Sequence, residues 1–433
     1  MKKYSRNFLI LIIKYDILCN TLNKRIGSGF MLGKKIYDIL EELGKISIEG
    51  EGVTRISFTK EHRKANSFIK KLMTENGLIP REDNAGNIIG EYFSNKTNSK
   101  TLVIGSHEDS VKNGGKYDGP LGIILPIITF GEYLKENKNL PYNIKIISFG
   151  DEEGIRFAMP FIGSSVIAGT FDTKDLSRVG IYNKTLGEAL ENFGGNLEKL
   201  KEDKLEDIDD FIEIHIEQGP ILFNENNSLG IVNAIQGFKR YEVDILGQAG
   251  HSGTVPMNMR HDAGVGASEI VYKINRLIGS KEGIVATVGK MNFFPGAENV
   301  IPQKASFSID IRSLSEELLI CSMEEINKII RDTCCELKLK YKIKMKTENK
   351  VTLCNEKIIS KLKESFIENN IDPKIISSGA GHDAQEMSKV TNVGMIFMRC
   401  EEGISHNPKE KISICDINDC VKVLKSFFYR YFN

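Results

Sequence analysis

A glycine-rich stretch, "GSHEDSVKNGGKYDGPLG" at residues 105–122, places a histidine and two aspartates within twelve positions: His107, Asp109 and Asp118. Glycine adopts backbone angles that other residues disfavour. Imidazole and carboxylate groups are ligands of divalent metal ions. The stretch therefore predicts a metal-binding loop whose remaining ligands come from other parts of the chain.

Most of the histidines lie in short motifs beside glycine or acidic residues. Five of the seven do so: His107 in "GSHEDS", His215 in "IEIHIEQGP", His251 in "GQAGHSGTVPM", His382 in "SGAGHDA" and His406 in "GISHNP". The other two, His62 and His261, are expected to be ordinary residues of surface helices. Histidine is a common metal ligand, so the first group supplies candidates for the missing ligands.

The candidates can be combined into a ligand set for two divalent ions. A suitable set consists of His107, Asp118, one of Glu152 and Glu153, His215 and His406. Asp118 offers one oxygen to each ion and is the natural bridge. Asp109, two residues beyond His107, is placed to fix the tautomer of that imidazole.

The adjacent acids in "GDEEG" can divide two tasks between them. Neighbouring residues at the end of a strand point in different directions. One carboxylate of the Glu152–Glu153 pair can therefore bind metal, while the other takes a proton from the attacking water and passes it to the leaving nitrogen. Each motif taken alone also has an ordinary structural interpretation. "DEEG" is usually a solvated turn, and a histidine in "GHSG" is usually a turn residue. Arg312 in "SIDIRS" would usually be a charged residue on an edge strand. The order of all the motifs decides between these interpretations.

Hydrophobic periodicity predicts the elements that position these residues. "KKIYDILEELGKI", "KEHRKANSFIKKLMTENG" and "GIILPIITFGEYLKEN" have helical spacing, whereas "NIIGEYF", "KTLVIGSH" and "YNIKIISFGDEEG" read as strands. This alternation predicts an α/β fold with helices on both faces of a mixed sheet, and the acidic motifs fall at the carboxyl ends of strands. From residue 233 the pattern strand, helix, strand, strand, helix, strand predicts an inserted α+β domain.

The predicted domain boundaries follow from these patterns. They are an N-terminal extension at residues 1–30, the first part of a catalytic domain at 31–232, the inserted domain at 233–345 and the second part of the catalytic domain at 346–433. "MKKYSRNFLILIIKYDILCN" begins like a signal peptide, but Lys14 and Asp16 interrupt its apolar run and no small-residue cleavage site follows. Met31 is a plausible start site.

The composition of the chain indicates what kind of partner it binds and in which cellular compartment it works. The chain has 433 residues with 58 basic and 58 acidic side chains, a balance that favours neither nucleic acid nor an anionic membrane. No apolar run reaches the ~18 residues of a membrane span. The eight cysteines form no CxxC pair, which indicates reduced thiols in a cytoplasmic protein. A small molecule is the expected partner.

The ordered motifs resemble a known family. The succession "GSHEDSVKNGGKYDG", "GDEEGIRF", "HIEQGP", "GHSGTVPMNMRHDA", "NVIP…FSIDIR", "SGAGHDA" and "GISHNPKE" resembles the amidase branch of the M20-type metallopeptidase-like family. That branch contains allantoate amidohydrolases, N-carbamoyl-L-amino acid hydrolases and related ureido hydrolases. The resemblance runs from about residue 34 to the C-terminus, and "FGDEEGIRF" with "MRCEEGISHNP" is most similar to bacterial allantoate amidohydrolases.

The resemblance implies a fold and an activity. The fold is a di-metal aminopeptidase-like catalytic domain with an inserted lid and dimerisation domain, in a homodimer with two divalent ions per subunit, manganese or zinc. The activity is hydrolysis of the ureido C–N bond of allantoate to ureidoglycine, ammonia and carbon dioxide. Hydrolysis of N-carbamoyl-L-amino acids is the alternative within the family. A non-catalytic metal-binding scaffold is the alternative outside it, and the intact Glu152 argues against that.

The resemblance also implies residue roles. The metal ligands are His107, Asp118, Glu153, His215 and His406. The catalytic groups are Glu152 as general base, Asp109, and His251, which reaches in from the partner subunit to stabilise the oxyanion. The substrate-binding groups are Gln218, His251, Asn299, Arg312, Gly379 and Ala380, supported by His382 and Asp383. Glu108 departs from the family pattern, and its charge would alter metal preference if it faced the ions.

Overall fold

The computed structural model describes residues 29–137 and 139–433. All but the last two residues of the predicted N-terminal extension therefore lie outside the described residues. No helix in the described ranges is long and apolar enough to cross a membrane.

Strands and helices alternate through most of the described chain. The strands are β1 (Ile79–Glu82), β2 (Ile88–Tyr92), β3 (Thr101–His107), β4 (Asn143–Phe149), β5 (Asp210–Ile216), β6 (Leu229–Ile235), β7 (Gly237–Leu246), β8 (Gly250–His251), β9 (Ile284–Thr287), β10 (Met291–Phe294), β11 (Val300–Ile301), β12 (Lys304–Ser313), β13 (Lys340–Asn349), β14 (Thr352–Leu353), β15 (Ile375–Ser378) and β16 (Asn392–Met398). The helices are α1 (Gly29–Gly44), α2 (Lys60–Glu75), α3 (Leu121–Glu136), α4 (Ile162–Ala168), α5 (Leu186–Asn192), α6 (Ile221–Asn224), α7 (Ala263–Gly279), α8 (Glu316–Glu336), α9 (Glu356–Glu368), α10 (Asp383–Met387) and α11 (Ile414–Phe432).

The larger sheet is mixed. Its strand order is β1-β2-β4-β3-β5-β16-β6-β14, and β15 also pairs with β6. The central strands β4, β3, β5 and β16 run parallel, while β2 and β6 flank them in antiparallel register. The carboxyl ends of the four parallel strands therefore meet at one edge of the sheet, as the sequence predicts.

Both faces of the central strands are covered. Ile104, Ile146 and Ile214 lie in the core that α1, α2, α3, α9 and α11 share. The residues that alternate with them are fully buried as well, including Val103 and Phe211, and α10 contacts β3, β5 and β16. This agrees with the continuous apolar runs expected of parallel strands buried on two sides and confirms the predicted α/β fold class.

The chain divides into two compact units. Unit 1 contains the described residues up to Asn233 together with Cys354–Ile376 and His382–Asn433. Unit 2 contains Ala234–Leu353 and Ser377–Gly381. The predicted end of the insertion at residue 345 falls inside β13, which continues to Asn349, and a short segment near residue 379 also belongs to unit 2.

Unit 2 is an antiparallel sheet with two helices on one face. The strand order is β10-β12-β7-β13, with β9 paired to β12 beside β10. Alternate residues of β7 and β12, such as Val243 and Ile309, pack with α7 and α8 in one core, and the residues between them are polar. The predicted pattern has two strands between its two helices, but residues 284–294, which account for one of them, form two strands, β9 and β10, each paired to a different half of β12.

Candidate metal centre

The candidate ligands of unit 1 gather at the carboxyl ends of the parallel strands. His107 is the last residue of β3, the acidic pair follows β4, and His215 is the penultimate residue of β5. The described residues contain three groups of side chains that can each hold an ion: His107, Asp118 and His215; Asp118, Glu153 and His406; and Glu213, His215 and His382. The structure thus brings together all five ligands predicted from the sequence.

Asp118 lies at the centre of this cluster. Its Oδ1 atom is 3.2 Å from Nε2 of His215, and its Oδ2 atom is 3.0 Å from Nε2 of His406. The same His406 nitrogen is 3.4 Å from Oε1 of Glu153. One oxygen of Asp118 therefore faces each of two histidines, which is the arrangement that a bridging carboxylate requires.

Backbone carbonyls orient two of the imidazole rings. Nδ1 of His107 lies 3.1 Å from the Asp109 carbonyl oxygen, and Nδ1 of His215 lies 2.9 Å from that of Ile216. A carbonyl oxygen only accepts, so each Nδ1 must carry the proton. Nε2 of both rings is then free to bind metal. The donor set, imidazole nitrogen with carboxylate oxygen, fits manganese or zinc.

The Asp109 carboxylate connects the ends of β3 and β4. Its Oδ1 atom is 3.4 Å from Nδ1 of His107 and accepts the N–H of Glu152 at 3.0 Å. Its Oδ2 atom accepts the N–H of Glu153 at 3.2 Å. Asp109 therefore holds the backbone of both adjacent acids while it contacts the ring of His107.

Burial dominates the electrostatics of the two adjacent acids. It raises the pKa of Glu152 well above its ordinary value and raises the pKa of Glu153 to about 7. The Glu152 carboxylate is 3.9 Å from Nε2 of His107 and belongs to none of the candidate ion-binding groups among the described residues. It is thus a buried carboxylate with a high proton affinity beside the cluster.

The histidines around Asp118 lower its pKa, whereas burial raises the pKa values of the two adjacent acids. Burial alone would raise the pKa of Asp118, but the three histidines around it hold that pKa well below its ordinary value. The hydrogen bond from His406 to Asp118 raises the pKa of His406 to about 9, whereas burial lowers the pKa of His215 to about 4. Asp118 is therefore anionic, which suits a ligand shared by two cations.

Glycine in the 113–119 loop allows the close approach of His107. Gly119 has φ +82°, and a Cβ atom there would lie 2.4 Å from the His107 carbonyl oxygen and 2.6 Å from two atoms of its ring. A side chain at this position would displace a candidate ligand. The glycine-rich loop thus holds the imidazole of His107 against the start of α3.

Gln218 and His382 also contact the cluster. Nε2 of Gln218 donates to both oxygens of Asp118, at 3.1 and 3.0 Å. Gln218 and His406 both have positive φ, +57° and +53°, a conformation that non-glycine residues adopt mainly where the surroundings enforce it. The ring of His382 is 4.6 Å from that of His215, centroid to centroid.

Glu108 does not face the candidate ligands. Its Oε1 atom lies 2.5 Å from Nε2 of His62, and its Oε2 atom accepts a hydrogen bond from Ser148. Both members of the Glu108–His62 pair are fully buried, so the prediction that His62 is a surface residue is wrong. His261, predicted on a helix, lies in the loop before α7 and is half-buried.

The predicted substrate residues of unit 2 form two small groups. His251 in β8 pairs with Val300 of β11, and the carbonyl oxygen of Asn299 accepts the N–H of Ser252 at 3.1 Å. Arg312 donates through one Nη to the carbonyl oxygen of Gly379 at 3.0 Å. Ala380 follows directly, so the structure places Arg312 beside the "SGAG" segment.

Sequence reasoning missed two residues of unit 1 that contact Asp118. The Ser405 hydroxyl lies 3.0 Å from Oδ2 of Asp118. Oε1 of Glu410 accepts the N–H groups of Tyr117 and Asp118 at 2.8 and 3.1 Å. The available signal was the position of both residues in "GISHNPKE", on either side of His406.

Comparison with known proteins assigns this arrangement to a family. Residues 103–430 match the Peptidase family M20/M25/M40. An N-carbamoyl-L-amino-acid amidohydrolase of Pseudomonas sp. (strain NS671) is 38% identical over 394 residues, which cover 89% of this chain and 95% of that protein. A probable allantoate deiminase of Oryza sativa subsp. japonica is 33% identical over 414 residues, covering 87% and 84%.

The fold agrees with the same assignment. The crystal structure of AtUAH in complex with (S)-hydroxyglycine matches with a TM-score of 0.83 at 30% identity, covering 92% of this chain and 97% of that one. An amidase of the hydantoinase/carbamoylase family from Burkholderia multivorans matches with a TM-score of 0.81 at 29% identity, covering 93% and 98%. The chain therefore belongs to the Peptidase family M20/M25/M40 and is an amidohydrolase of that family.

Proposed function

We propose that this protein hydrolyses the ureido C–N bond of allantoate to ureidoglycine, ammonia and carbon dioxide, with two divalent ions, manganese or zinc, at the metal centre. The observation that carries the proposal is Asp118, whose two oxygens face different histidines, with the buried Glu152 carboxylate beside the cluster. The 33% identical relative named as a probable allantoate deiminase supports the choice of substrate.

The chain's own groups have distinct tasks in this reaction. Two divalent ions, when bound, polarise the ureido carbonyl and lower the pKa of the attacking water. His107, Asp118, Glu153, His215 and His406 would hold them. Glu152 accepts the proton of that water and delivers it to the leaving nitrogen. A carboxylate whose pKa burial has raised suits both transfers, because it binds the proton well and can still release it.

The proposed substrate groups are not themselves candidate metal ligands. Arg312 is the proposed partner of the substrate carboxylate, since its planar guanidinium matches a carboxylate in a bidentate manner. Asn299 is proposed to hold the same carboxylate, Gln218 to contact the substrate, and His251 to stabilise the oxyanion. Gly379 and Ala380 would line the site.

A second guanidinium next to Arg312 supports a substrate with two polar ends. Asp310 accepts from Nε of Arg312 at 2.9 Å and from Nε of Arg240 at 2.8 Å. Both guanidinium groups also lie near the ring of Phe238, at 4.9 Å for Arg240 and 5.8 Å for Arg312. A second ureido carbonyl needs a hydrogen-bond donor, whereas an apolar amino acid side chain does not. Arg240 is suited to supply that donor.

Hydrolysis of N-carbamoyl-L-amino acids is the second candidate. It is favoured by the 38% identical relative that carries this name. The two candidate activities share the metal ligands and the proton transfer, and they differ in the group on the α-carbon of the substrate. The discrimination therefore depends on the substrate groups and not on the metal centre.

A direct assay separates the two activities. Ammonia release by the manganese-loaded protein is measured with allantoate and with N-carbamoyl-L-methionine at equal concentration, and Glu152→Gln serves as the blank. We expect faster release from allantoate and no release by the blank. Faster release from the carbamoyl amino acid would replace the substrate and keep the mechanism, whereas full activity of Glu152→Gln would contradict the mechanism.

The Arg240→Met variant tests the contribution of the second guanidinium. We expect the ratio of kcat/KM for allantoate to that for N-carbamoyl-L-methionine to fall at least tenfold, because a hydrogen-bond donor to the second ureido group is lost. Arg331→Met, which removes an exposed arginine on α8 of the same unit, is the control. An unchanged ratio in Arg240→Met would exclude Arg240 from the specificity of the enzyme.

The proposal includes a homodimer formed through unit 2 and a cytoplasmic location. Exposed apolar side chains support the dimer: Met257, Met259, Val265, Tyr272 and Phe293. Such side chains mark protein interfaces when they lie together. Sedimentation equilibrium of the purified protein would give twice the chain mass if the proposal is correct, and one chain mass would contradict it.

A further inference from the structure

Glu410 is a buried carboxylate for which the proposed reaction has no use. Its side chain is 4% exposed. Oε1 accepts two backbone N–H groups, those of Tyr117 and Asp118, and Oε2 lies 3.0 Å from the Ser405 hydroxyl. Glu410 thereby connects the loop that carries His406 with the loop that carries Asp118, across 293 residues of sequence.

Ser405 extends this contact to the carboxylate of Asp118. Its Oγ atom lies 3.0 Å from an oxygen of Glu410 and 3.0 Å from Oδ2 of Asp118. A hydroxyl group donates one hydrogen bond and accepts others. A neutral amide at position 410 would preserve the same series of hydrogen bonds. Its oxygen can accept both N–H groups, and its NH₂ group can donate to Ser405, which then donates to Asp118.

Gly115 provides the space for the Glu410 carboxylate. A Cβ atom at Gly115 would lie 2.0 Å from both Cδ and Oε1 of Glu410. The φ angle of Gly115 lies outside the left-handed region, so the backbone itself would accept alanine. The close approach of Glu410 is therefore what requires glycine at this position.

We propose that Glu410 is a positioning residue for the metal centre, which keeps Asp118 and His406 side by side so that one ion can bind both. The proposal rests on the roles proposed above for these two residues as ligands. Glu410 belongs to none of the candidate ion-binding groups among the described residues. It acts through the backbone of Asp118 and through Ser405, in the way that hydrogen bonds behind metal ligands set metal affinity.

The test measures manganese binding to the metal-free protein by isothermal titration calorimetry, with thermal unfolding as a parallel measurement. We expect Glu410→Ala to weaken the binding of one ion at least tenfold, within the ~10- to 100-fold range for groups behind metal ligands. Glu410→Gln should remain within about threefold of the wild type, since it preserves the hydrogen bonds. Gly115→Ala should resemble Glu410→Ala, because its Cβ displaces the carboxylate.

The double variant makes the test specific to this contact. Gly115→Ala combined with Glu410→Ala should bind manganese no more weakly than Glu410→Ala alone, because the group that Cβ displaces is already absent. Asp416→Asn is the control. It alters another buried carboxylate, which Arg399 binds through two nitrogens at 2.9 and 2.8 Å, and it should leave manganese affinity unchanged.

Several results would overturn the inference. They are wild-type affinity in Glu410→Ala, additive losses in the double variant, or a loss in Glu410→Gln as large as in Glu410→Ala. If Glu410→Ala does not fold, the other two single variants decide: near wild-type affinity in Glu410→Gln with a tenfold loss in Gly115→Ala supports it, and any other pair of results contradicts it. A wild-type protein that binds no manganese contradicts the proposed function instead, before any variant is measured.

Discussion

The Glu108–His62 pair joins the end of β3 to α2 inside unit 1. Nδ1 of His62 accepts the N–H of Phe58 at 2.8 Å, so Nε2 carries the proton that faces Glu108. Arg55 donates to the Glu108 carbonyl oxygen and to two carbonyl oxygens of the 43–46 segment. The charge of Glu108 thus compensates a buried guanidinium and also binds a buried imidazole.

Removal of Glu108 is expected to cost substantial stability. Glu108→Ala should lower the free energy of unfolding by ~1–3 kcal/mol, the range for leaving a buried polar group without its partner. The reason is that it removes the carboxylate that faces Nε2 of His62 and a charge that compensates the buried guanidinium of Arg55. Urea unfolding of the single and double variants measures this. The loss in Glu108→Ala/His62→Ala should be smaller than the sum of the single losses, and strictly additive losses would exclude the coupling.

For single residues, the sequence predicts which side chains are candidate ligands better than it predicts which side chains contact each other. The candidate ligands were predictable because each lies in a short polar motif at the end of a strand. The burial of His62 could have been predicted from the sequence, because His62 lies at helical spacing from Ala65 and Ile69 and so shares their face of the helix. The structure buries all three residues, together with Asn66. Its partner Glu108 was not predictable, because the direction of a side chain beside a metal ligand depends on the packing of α2 against the sheet.

The contact between α3 and the sheet depends on a glycine. A Cβ atom at Gly122 would lie 2.1 Å from the Ile214 carbonyl oxygen and 2.7 Å from Cβ of Ser106. Both contacts come from strands that carry candidate ligands. The first turn of α3 therefore lies directly against β3 and β5, immediately after Asp118.

Alanine at two helical glycines should have opposite effects. Gly122→Ala must move α3 away from the sheet, so we expect it to lower the midpoint of thermal unfolding and to reduce activity. Gly279→Ala, at the end of α7, meets no atom within 4 Å and should leave the midpoint unchanged or raise it, because alanine is favoured over glycine in helices by up to ~1 kcal/mol. Equal effects in both variants would contradict the close packing of α3.

Helices and strands were predicted most accurately where one hydrophobic pattern covers the whole element. Helices α2, α3, α7 and α8 follow from their 3.6-residue spacing, and the central strands follow from short apolar runs. The division of residues 284–294 into β9 and β10 was not predictable, because both segments pair with β12 and only this long-range pairing separates them. The two-residue strands β8 and β11 are likewise defined by each other.

For the molecule as a whole, buried acids control the response of stability to pH. Burial raises the pKa of Asp83, Glu153 and Glu213 to about 7. A group whose pKa is higher in the folded state contributes stability at low pH that is lost as pH rises through the folded value. His406, with a pKa raised to about 9, extends this loss to alkaline pH. His215, with a pKa lowered to about 4, loses its contribution only as pH falls below its unfolded value.

The metal-free protein should therefore unfold at a lower temperature at about pH 8.5 than at about pH 6.5. Added manganese should raise the unfolding temperature more at the higher pH, because metal ligands bind in their deprotonated form and binding to the folded state stabilises it. Differential scanning calorimetry at both pH values, with and without manganese, measures the effect. A larger metal-induced increase at the lower pH would contradict the assignment of these acids.

The assembly of unit 1 from three separate segments has a consequence for synthesis on the ribosome. Strand β16 inserts between β5 and β6, and His406 and Glu410 follow it. A nascent chain that has already produced Asp118 and His215 still lacks both groups until the final segment emerges. Unit 2 is largely synthesised earlier, apart from its short Ser377–Gly381 segment. The metal centre therefore cannot be complete before the His382–Asn433 segment has been synthesised, and ion capture should follow the synthesis of that segment.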